Sequence, residues 1–249
     1  MRPPPRKAVV LAAGFGERMR PLSRAVPKPL LPVWGRPAAL RALDLLAGWG
    51  VREALINLHF GADEVFDAVR RGAPRGLRLA FSFEPAILGT GGALRRAAWF
   101  LADDGPDEPF WLLNSDVVAA VSPGPLLRAF RPPRVIAALW MHPDRGPRTV
   151  VARRSFVADF RAASPGAPGT LTFCGLHLAS PRLLDYLPRE ERFCSIIEAY
   201  EAAMRDGRAV AAVAPPGAWW MDLGTPENYV AAHREIREAA RAGAPPRAL

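Results

Sequence analysis

Several short stretches of the chain combine glycine, cationic and acidic residues in ways that suit phosphate chemistry. The first is Leu11-Ala12-Ala13-Gly14-Phe15-Gly16-Glu17-Arg18-Met19-Arg20-Pro21. Two glycines directly after an apolar run let backbone amides approach a phosphate closely. It is no P-loop, because no Gly-Lys-Ser/Thr follows. It also departs from a dinucleotide fingerprint, because the sixth position is Met19 and Pro21 interrupts the helix that should open there. Taken alone, it reads equally well as an ordinary turn after a strand. The second stretch, Val26-Pro27-Lys28-Pro29-Leu30, sets a lysine between two prolines that stiffen the backbone and discourage helix. Lysine is rare here: only Lys7 and Lys28 occur in a chain otherwise biased to arginine. Arg18 and Lys28 would bring two cations to the mouth of one strand. Further on, Glu84 to Leu94 is a glycine-rich turn in which Thr90 can cap a helix. Two acids stand at element ends: Asp116, after Trp111-Leu112-Leu113-Asn114-Ser115, and Asp222, in Trp219-Trp220-Met221-Asp222-Leu223-Gly224-Thr225. Either could serve only as a cap or a solvated acid at a helix entry.

The elements that must position these residues alternate. Lys7 to Ala13 is a short apolar run ended by glycine, a buried parallel strand. Pro37 to Trp49 has helical spacing and stops at Gly50. Glu53 to Leu58 is a strand, Ala62 to Arg71 a helix with Val65, Phe66 and Val69 on its inner face, and Leu77 to Phe83 a strand. Gly91 to Leu101 is a helix and Phe110 to Asn114 a fourth strand. Such alternation predicts an α/β fold, a Rossmann-like, mixed and mainly parallel sheet flanked by helices, with ligands bound beyond the carboxyl ends of the strands. The second half is richer in strands: Val135 to Met141, Arg148 to Val151, Phe156 to Phe160, Leu171 to Leu178 and Ala209 to Val213. Leu183 to Leu187 and Ile196 to Arg205 read as helical, and a last helix runs from Pro226 to Ala240 with Thr225 as cap. The expected organisation is a single domain over 1–249, with a nucleotide-binding half at 7–120 and a second half at 121–242. The first residues read as a short disordered lead and the tail after Gly243 as loose.

In order, Leu-Ala-Ala-Gly, Gly-x-Gly-x-Arg and Pro-Lys-Pro-Leu resemble the signature of the sugar-1-phosphate nucleotidyltransferases, with Glu17 where threonine is common. The segments Leu88 to Ala93, Asn114-Ser115-Asp116, Trp220-Met221-Asp222-Leu223-Gly224-Thr225 and Thr170 to Gly175 resemble later landmarks of the same family. The resemblance implies a nucleotide held by Leu11, Ala12, Ala13, Gly14, Gly16, Glu84, Gly89, Thr90 and Gly91. It implies a sugar against Asn114 and Gly175, and Mg²⁺ on Asp116 and Asp222, since hard cations take carboxylates plus substrate phosphates. Arg18 would face the β- and γ-phosphates, and Lys28 the α-phosphate and the sugar phosphate. Many relatives carry Glu-Lys-Pro in the second half; this chain has none. Its Pro168 to Phe173 run is similar to a compact branch that resembles N-acetylmuramate 1-phosphate uridylyltransferase and mannose-1-phosphate guanylyltransferase. The implied reaction joins a nucleoside triphosphate, UTP or GTP, to a sugar 1-phosphate.

Bulk properties narrow the alternatives. A net charge of +9 suits anionic small substrates as well as nucleic acid. The arginines are spread along the chain rather than clustered, so no nucleic-acid partner is expected. No apolar run approaches the ~20 residues of a membrane span, and none forms a signal-peptide core, so no membrane partner and a cytoplasmic location are expected. Cys174 and Cys194 form no metal spacing, and the four histidines are scattered. A glycosyltransferase would present Asp-x-Asp where Asn114 stands. A non-sugar acceptor such as phosphocholine, a non-catalytic nucleotide-binding regulator and a homo-oligomer stay open.

Overall fold

The computed structural model describes residues 4–102, 105 and 108–241. The expectations for the first three residues and for the tail lie outside them. In chain order the elements are β1 (Lys7–Leu11), α1 (Leu22–Ala25), β2 (Pro32–Val33), β3 (Arg36–Pro37), α2 (Ala38–Gly48), β4 (Glu53–Leu58), α3 (Ala62–Gly72), β5 (Arg78–Phe83), α4 (Gly89–Arg96), α5 (Ala98–Ala102), β6 (Phe110–Asn114), β7 (Val117–Ala120) and α6 (Gly124–Ala129). They continue with β8 (Val135–His142), β9 (Val150–Arg153), β10 (Phe156–Asp159), β11 (Thr170–Ala179), α7 (Ile196–Arg205), β12 (Ala209–Val213), β13 (Trp219–Asp222) and α8 (Pro226–Arg241).

One nine-stranded sheet, ordered β5-β4-β1-β6-β11-β8-β12-β10-β9, runs through both halves of the chain. β5, β4, β1 and β6 are parallel neighbours, whereas β11 runs antiparallel between β6 and β8. Both faces of the sheet are covered, and the period of two along each strand distributes side chains between them. Ala8 and Val10 of β1, with Trp111 and Leu113 of β6, pack with Leu40, Leu43 and Leu46 of α2 on one face. Val9, Phe110 and Leu112 pack with Leu94, Phe100, Ala199 and Tyr200 on the other. Lys7 is buried in this scheme because its ammonium donates to the Phe100 carbonyl at 2.7 Å. A smaller cluster under α8 joins Val33, Val118, Met221, Leu223 and Ile236.

Several elements depart from the sequence reading. Phe66 is not on the inner face of α3: Val65 and Val69 are fully buried, while Phe66 is 38% exposed and packs edge-on against Phe81 of the edge strand at 4.6 Å. The heptad neighbours at i and i+4 take the narrow stripe that this short helix turns inward. The expected helix at Gly91 to Leu101 begins at Gly89 and is interrupted at Ala97 between α4 and α5. Pro181–Tyr186 forms a 3₁₀ helix capped by Ser180, in place of a helix at Leu183 to Leu187. The β7–β13 ribbon and α6 were not expected. Thr225 does cap α8, its hydroxyl accepting from the Asn228 amide at 3.3 Å. No helix among the described residues is long and apolar enough to cross a membrane.

His177 of β11 is 1% exposed, with Nδ1 bonded to the Tyr200 hydroxyl and Phe173 edge-on at 4.5 Å. Burial pushes its pKa down to about 3. The folded-state value thus lies below that of the unfolded chain, near 6.5. The stability contributed by the neutral ring is therefore present above pH ~6.5 and lost as pH falls towards ~3, at up to about 1.4 kcal/mol per pH unit. Urea unfolding at a series of pH values is expected to show wild type losing stability more steeply than His177→Gln between these limits. Equal slopes would mean that the histidine is not held neutral.

Candidate active site

The carboxyl ends of β1, β4, β5 and β6 open onto a cavity of about 500 Å³. Its first wall is the loop after β1. Gly16 has φ +66°, and a Cβ there would stand 3.0 Å from Lys28 Cβ and 3.1 Å from Ser23 Cβ. The loop is therefore pressed onto the Pro-Lys-Pro segment, and Ser23 Oγ fastens it by donating to the Gly16 carbonyl at 2.7 Å. Glycine satisfies both the left-handed backbone and the close approach. Fully buried Met19 anchors the 3₁₀ turn that carries Arg18, Glu17–Met19. Lys28 opens another 3₁₀ turn, Lys28–Leu30, so the flanking prolines give a tight turn rather than an extended run. From there its ammonium donates to the carboxylate of Asp116.

The two acids meet through the ribbon that the sequence did not disclose. Asp222 ends β13 opposite Val117 of β7, and the Leu223 amide donates to the Asp116 carbonyl at 3.0 Å. A Cβ on Gly224 would lie 2.8 and 2.9 Å from the Asp222 carboxylate oxygens and 2.9 Å from Arg18 Nη2. Asp222, Arg18 and the open flank of Gly224 thus share one corner. Burial and, after it, the facing Asp116 hold the Asp222 carboxyl above its ordinary pKa, against the opposing pull of Lys28, Arg18 and the Gly224 amide. Two crowded carboxylates of this kind suit a hard divalent cation, which relieves their repulsion and completes its shell with water and substrate oxygens. Among the described residues no cluster of three or more His, Cys, Asp or Glu side chains forms a ready cage.

Leu11, Ala12, Ala13, Gly14 and Gly16 line the cavity on one side, and Glu84, Gly89 and Thr90 on the other. Arg18, Lys28, Asn114 and Asp116 close its floor. Three expected residues are not on its wall. Gly91 faces the segment before α7: its amide donates to the Cys194 carbonyl at 2.9 Å, and a Cβ would meet Cys194 Sγ at 2.8 Å. Its lack of a side chain permits close packing against that segment. Asp222 stands behind Gly224. Gly175 lies behind Asn114, in the irregular part of β11, with φ +69°. A Cβ there would stand 2.6 Å from Asn114 Nδ2. Gly175→Ala is accordingly expected to destabilise the protein by about 1–3 kcal/mol and to displace Asn114. A thermal melt within 1 °C of wild type would contradict this. Cys174 is buried, and burial pushes its thiol pKa far up, as befits a core residue.

Sequence reasoning missed Phe15, Asn57, Ile87, Ser115 and Gly224 on the cavity wall. For Asn57 a signal was available: it is the one amide within the apolar run Ala54-Leu55-Ile56-Asn57-Leu58. A buried amide requires partners.

A glycine loop, paired acids and two cations are gathered at the carboxyl edge of a parallel sheet, an arrangement of an α/β protein that suits a phosphate-bearing ligand. The chain belongs to the nucleotidyl transferase family, whose sequence profile matches residues 7–148. It is 30% identical over 244 residues to the mannose-1-phosphate guanyltransferase of Emericella nidulans, covering 90% of this chain and 62% of that protein. It is 28% identical over 245 residues to mannose-1-phosphate guanylyltransferase 1 of Arabidopsis thaliana, covering 96% and 67%. The chain thus spans about two thirds of the length of these relatives. The fold is shared with the inositol-1-phosphate CTP transferase from T. maritima, with TM-score 0.77, 17% identity and coverage of 96% and 98%. It is also shared with HddC from Yersinia pseudotuberculosis complexed with GMP-PN, with TM-score 0.71, 22% identity and coverage of 92% and 98%.

Proposed function

We propose that this chain is a Mg²⁺-dependent sugar-1-phosphate nucleotidyltransferase that uses GTP or UTP and releases pyrophosphate. The observation that carries the reading is the meeting of Lys28, Asp116 and Arg18 at the floor of the cavity, with Asp222 facing all three from behind Gly224. The similarity to mannose-1-phosphate guanyltransferases supports it. Residues 7–120 hold the nucleotide and residues 121–242 complete the acceptor side.

The reaction is an in-line attack by a sugar-phosphate oxygen on the α-phosphorus, with pyrophosphate leaving. Both nucleophile and leaving group are anions, so catalysis consists mainly of positioning and charge neutralisation. The amides after β1 receive the phosphates. Arg18 stabilises the departing pyrophosphate, and Lys28 holds the α-phosphate and the incoming phosphate together. Asp116 and Asp222 would hold the Mg²⁺. When bound, the ion supplies Lewis-acid neutralisation of the reacting phosphates. Leu11 to Ala13 and Glu84 to Thr90 enclose the nucleoside, and Asn114, backed by Gly175, faces the sugar. No general base is required, because the acceptor phosphate is ionised at neutral pH.

The deciding experiment measures pyrophosphate release from each common nucleoside triphosphate with Mg²⁺ and a panel of sugar 1-phosphates, with phosphocholine and inositol 1-phosphate alongside. Release that depends on one sugar 1-phosphate supports the proposal. Release only with a non-sugar phosphate, or none despite nucleotide binding, refutes it.

A further inference from the structure

Two loops grip the cavity from opposite sides, and a continuous chain of hydrogen bonds ties one to the other. Asn57 lies in β4 beside Leu11 of β1 and Ser82 of β5, and is 3% exposed. Its Oδ1 accepts from the Ala12 amide at 2.6 Å, and its Nδ2 donates to Glu84 Oε1 at 2.7 Å. The other Glu84 oxygen accepts from the Leu88 amide at 2.9 Å. Glu84 is fully buried, and its backbone is fixed as well: its amide donates to the Leu58 carbonyl and its carbonyl meets His59 Nδ1 at 2.8 Å.

This chain has a polarity. Turning the Asn57 amide over would set its NH₂ against the Ala12 N–H and its oxygen against the Glu84 carboxylate, so only one orientation satisfies every group. Both Glu84 oxygens act as acceptors, one for the Asn57 side chain and one for the Leu88 amide of the loop before α4. The Ala12 amide is engaged within the protein, which leaves the amides beyond it to face a phosphate. The spacing between the loop after β1 and the loop before α4 is therefore set by two buried side chains.

We infer that Asn57 is a positioning residue for the nucleotide, acting through Glu84 to hold the two gripping loops at the separation that binding requires. The inference rests on the reading of the cavity as a nucleotide site. A relay of this kind predicts that charge can be moved along it without breaking it. Asn57→Asp keeps the acceptor for Ala12 but sets its second oxygen against Glu84. Glu84→Gln sets a donor against a donor, whichever way the amide is turned. With both substitutions the amide at 84 donates to the carboxylate at 57 and accepts from Leu88, so each link is remade.

The test uses the full chain, calorimetric dissociation constants for GTP and UTP, and kinetics of pyrophosphate release with the better nucleotide. Each single substitution is expected to weaken nucleotide binding, and raise its KM, at least about tenfold. The double variant should recover nucleotide binding, and the KM for the nucleotide, to within about threefold of wild type. Single substitutions without effect on nucleotide binding overturn the relay. So does a double variant as weak as Glu84→Gln alone, which would give Glu84 a direct contact instead. Should Asn57→Asp fail to fold, the comparison of Glu84→Gln with the double variant still decides. A wild-type chain that binds neither nucleotide overturns the cavity reading, and the relay with it. That result is distinct from binding that the substitutions leave unchanged.

Discussion

Asp222→Ala is expected to lower pyrophosphate release by about a thousandfold or more without lowering the melting temperature. The two parts of this expectation have separate causes. Activity falls because one of the two carboxylates proposed to hold Mg²⁺ is gone. Stability holds because Asp222 is half-buried beside Asp116, and its charged form is disfavoured by burial and by that neighbour. Removing it relieves repulsion rather than a favourable pair. Trp219 and Trp220 stand three and two residues before it, so intrinsic fluorescence offers a binding readout independent of turnover. Mg²⁺ should perturb the wild-type emission and leave that of the variant unchanged. A variant that keeps activity within tenfold of wild type would remove Asp222 from the metal site.

Lys28→Ala carries the second large effect, a fall in kcat/KM of about a hundredfold to a thousandfold. Its ammonium is the partner of Asp116, and it also opposes the two factors that raise the Asp222 pKa. Loss of the cation therefore leaves two carboxylates facing each other as well as an unneutralised reacting phosphate. Lys28→Arg is expected to restore little. Its Cβ stands only 3.0 Å from where a Gly16 side chain would begin, and Pro27 and Pro29 hold the turn, so a longer, planar group cannot take the same place. Steady-state kinetics of pyrophosphate release at saturating Mg²⁺ checks this. Arginine that restores more than half of the wild-type rate would show that charge alone matters at this position.

The first half of the fold was legible because its signals are local. The apolar run Ala8 to Leu11, the amphipathic Ala38–Gly48 and the strand Glu53–Leu58 each carry their own period and stop signals, so the alternation of parallel strands and helices needed no tertiary information. Phe66 was misplaced because periodicity defines a stripe but not its width; the edge strand β5 decided how much of α3 was covered. The β7–β13 ribbon was invisible for a related reason. Its two strands have four residues each and are separated by nearly a hundred, so pairing rather than propensity makes them strands.

The same division runs through the site. By itself the sequence determined which residue types are available and which strand ends they follow: glycines after β1, a lysine stiffened by prolines, an acid after β6 and another before the last helix. Those are properties of neighbours along the chain. Only the tertiary structure decided that Asp222 comes beside Asp116, that Gly91 turns towards Cys194, and that Asn57 joins the loop after β1 to the one before α4. Each of these depends on which distant segments pack together. That choice is made by burial of apolar faces over the whole sheet, and it leaves no local trace at the residues it brings into contact.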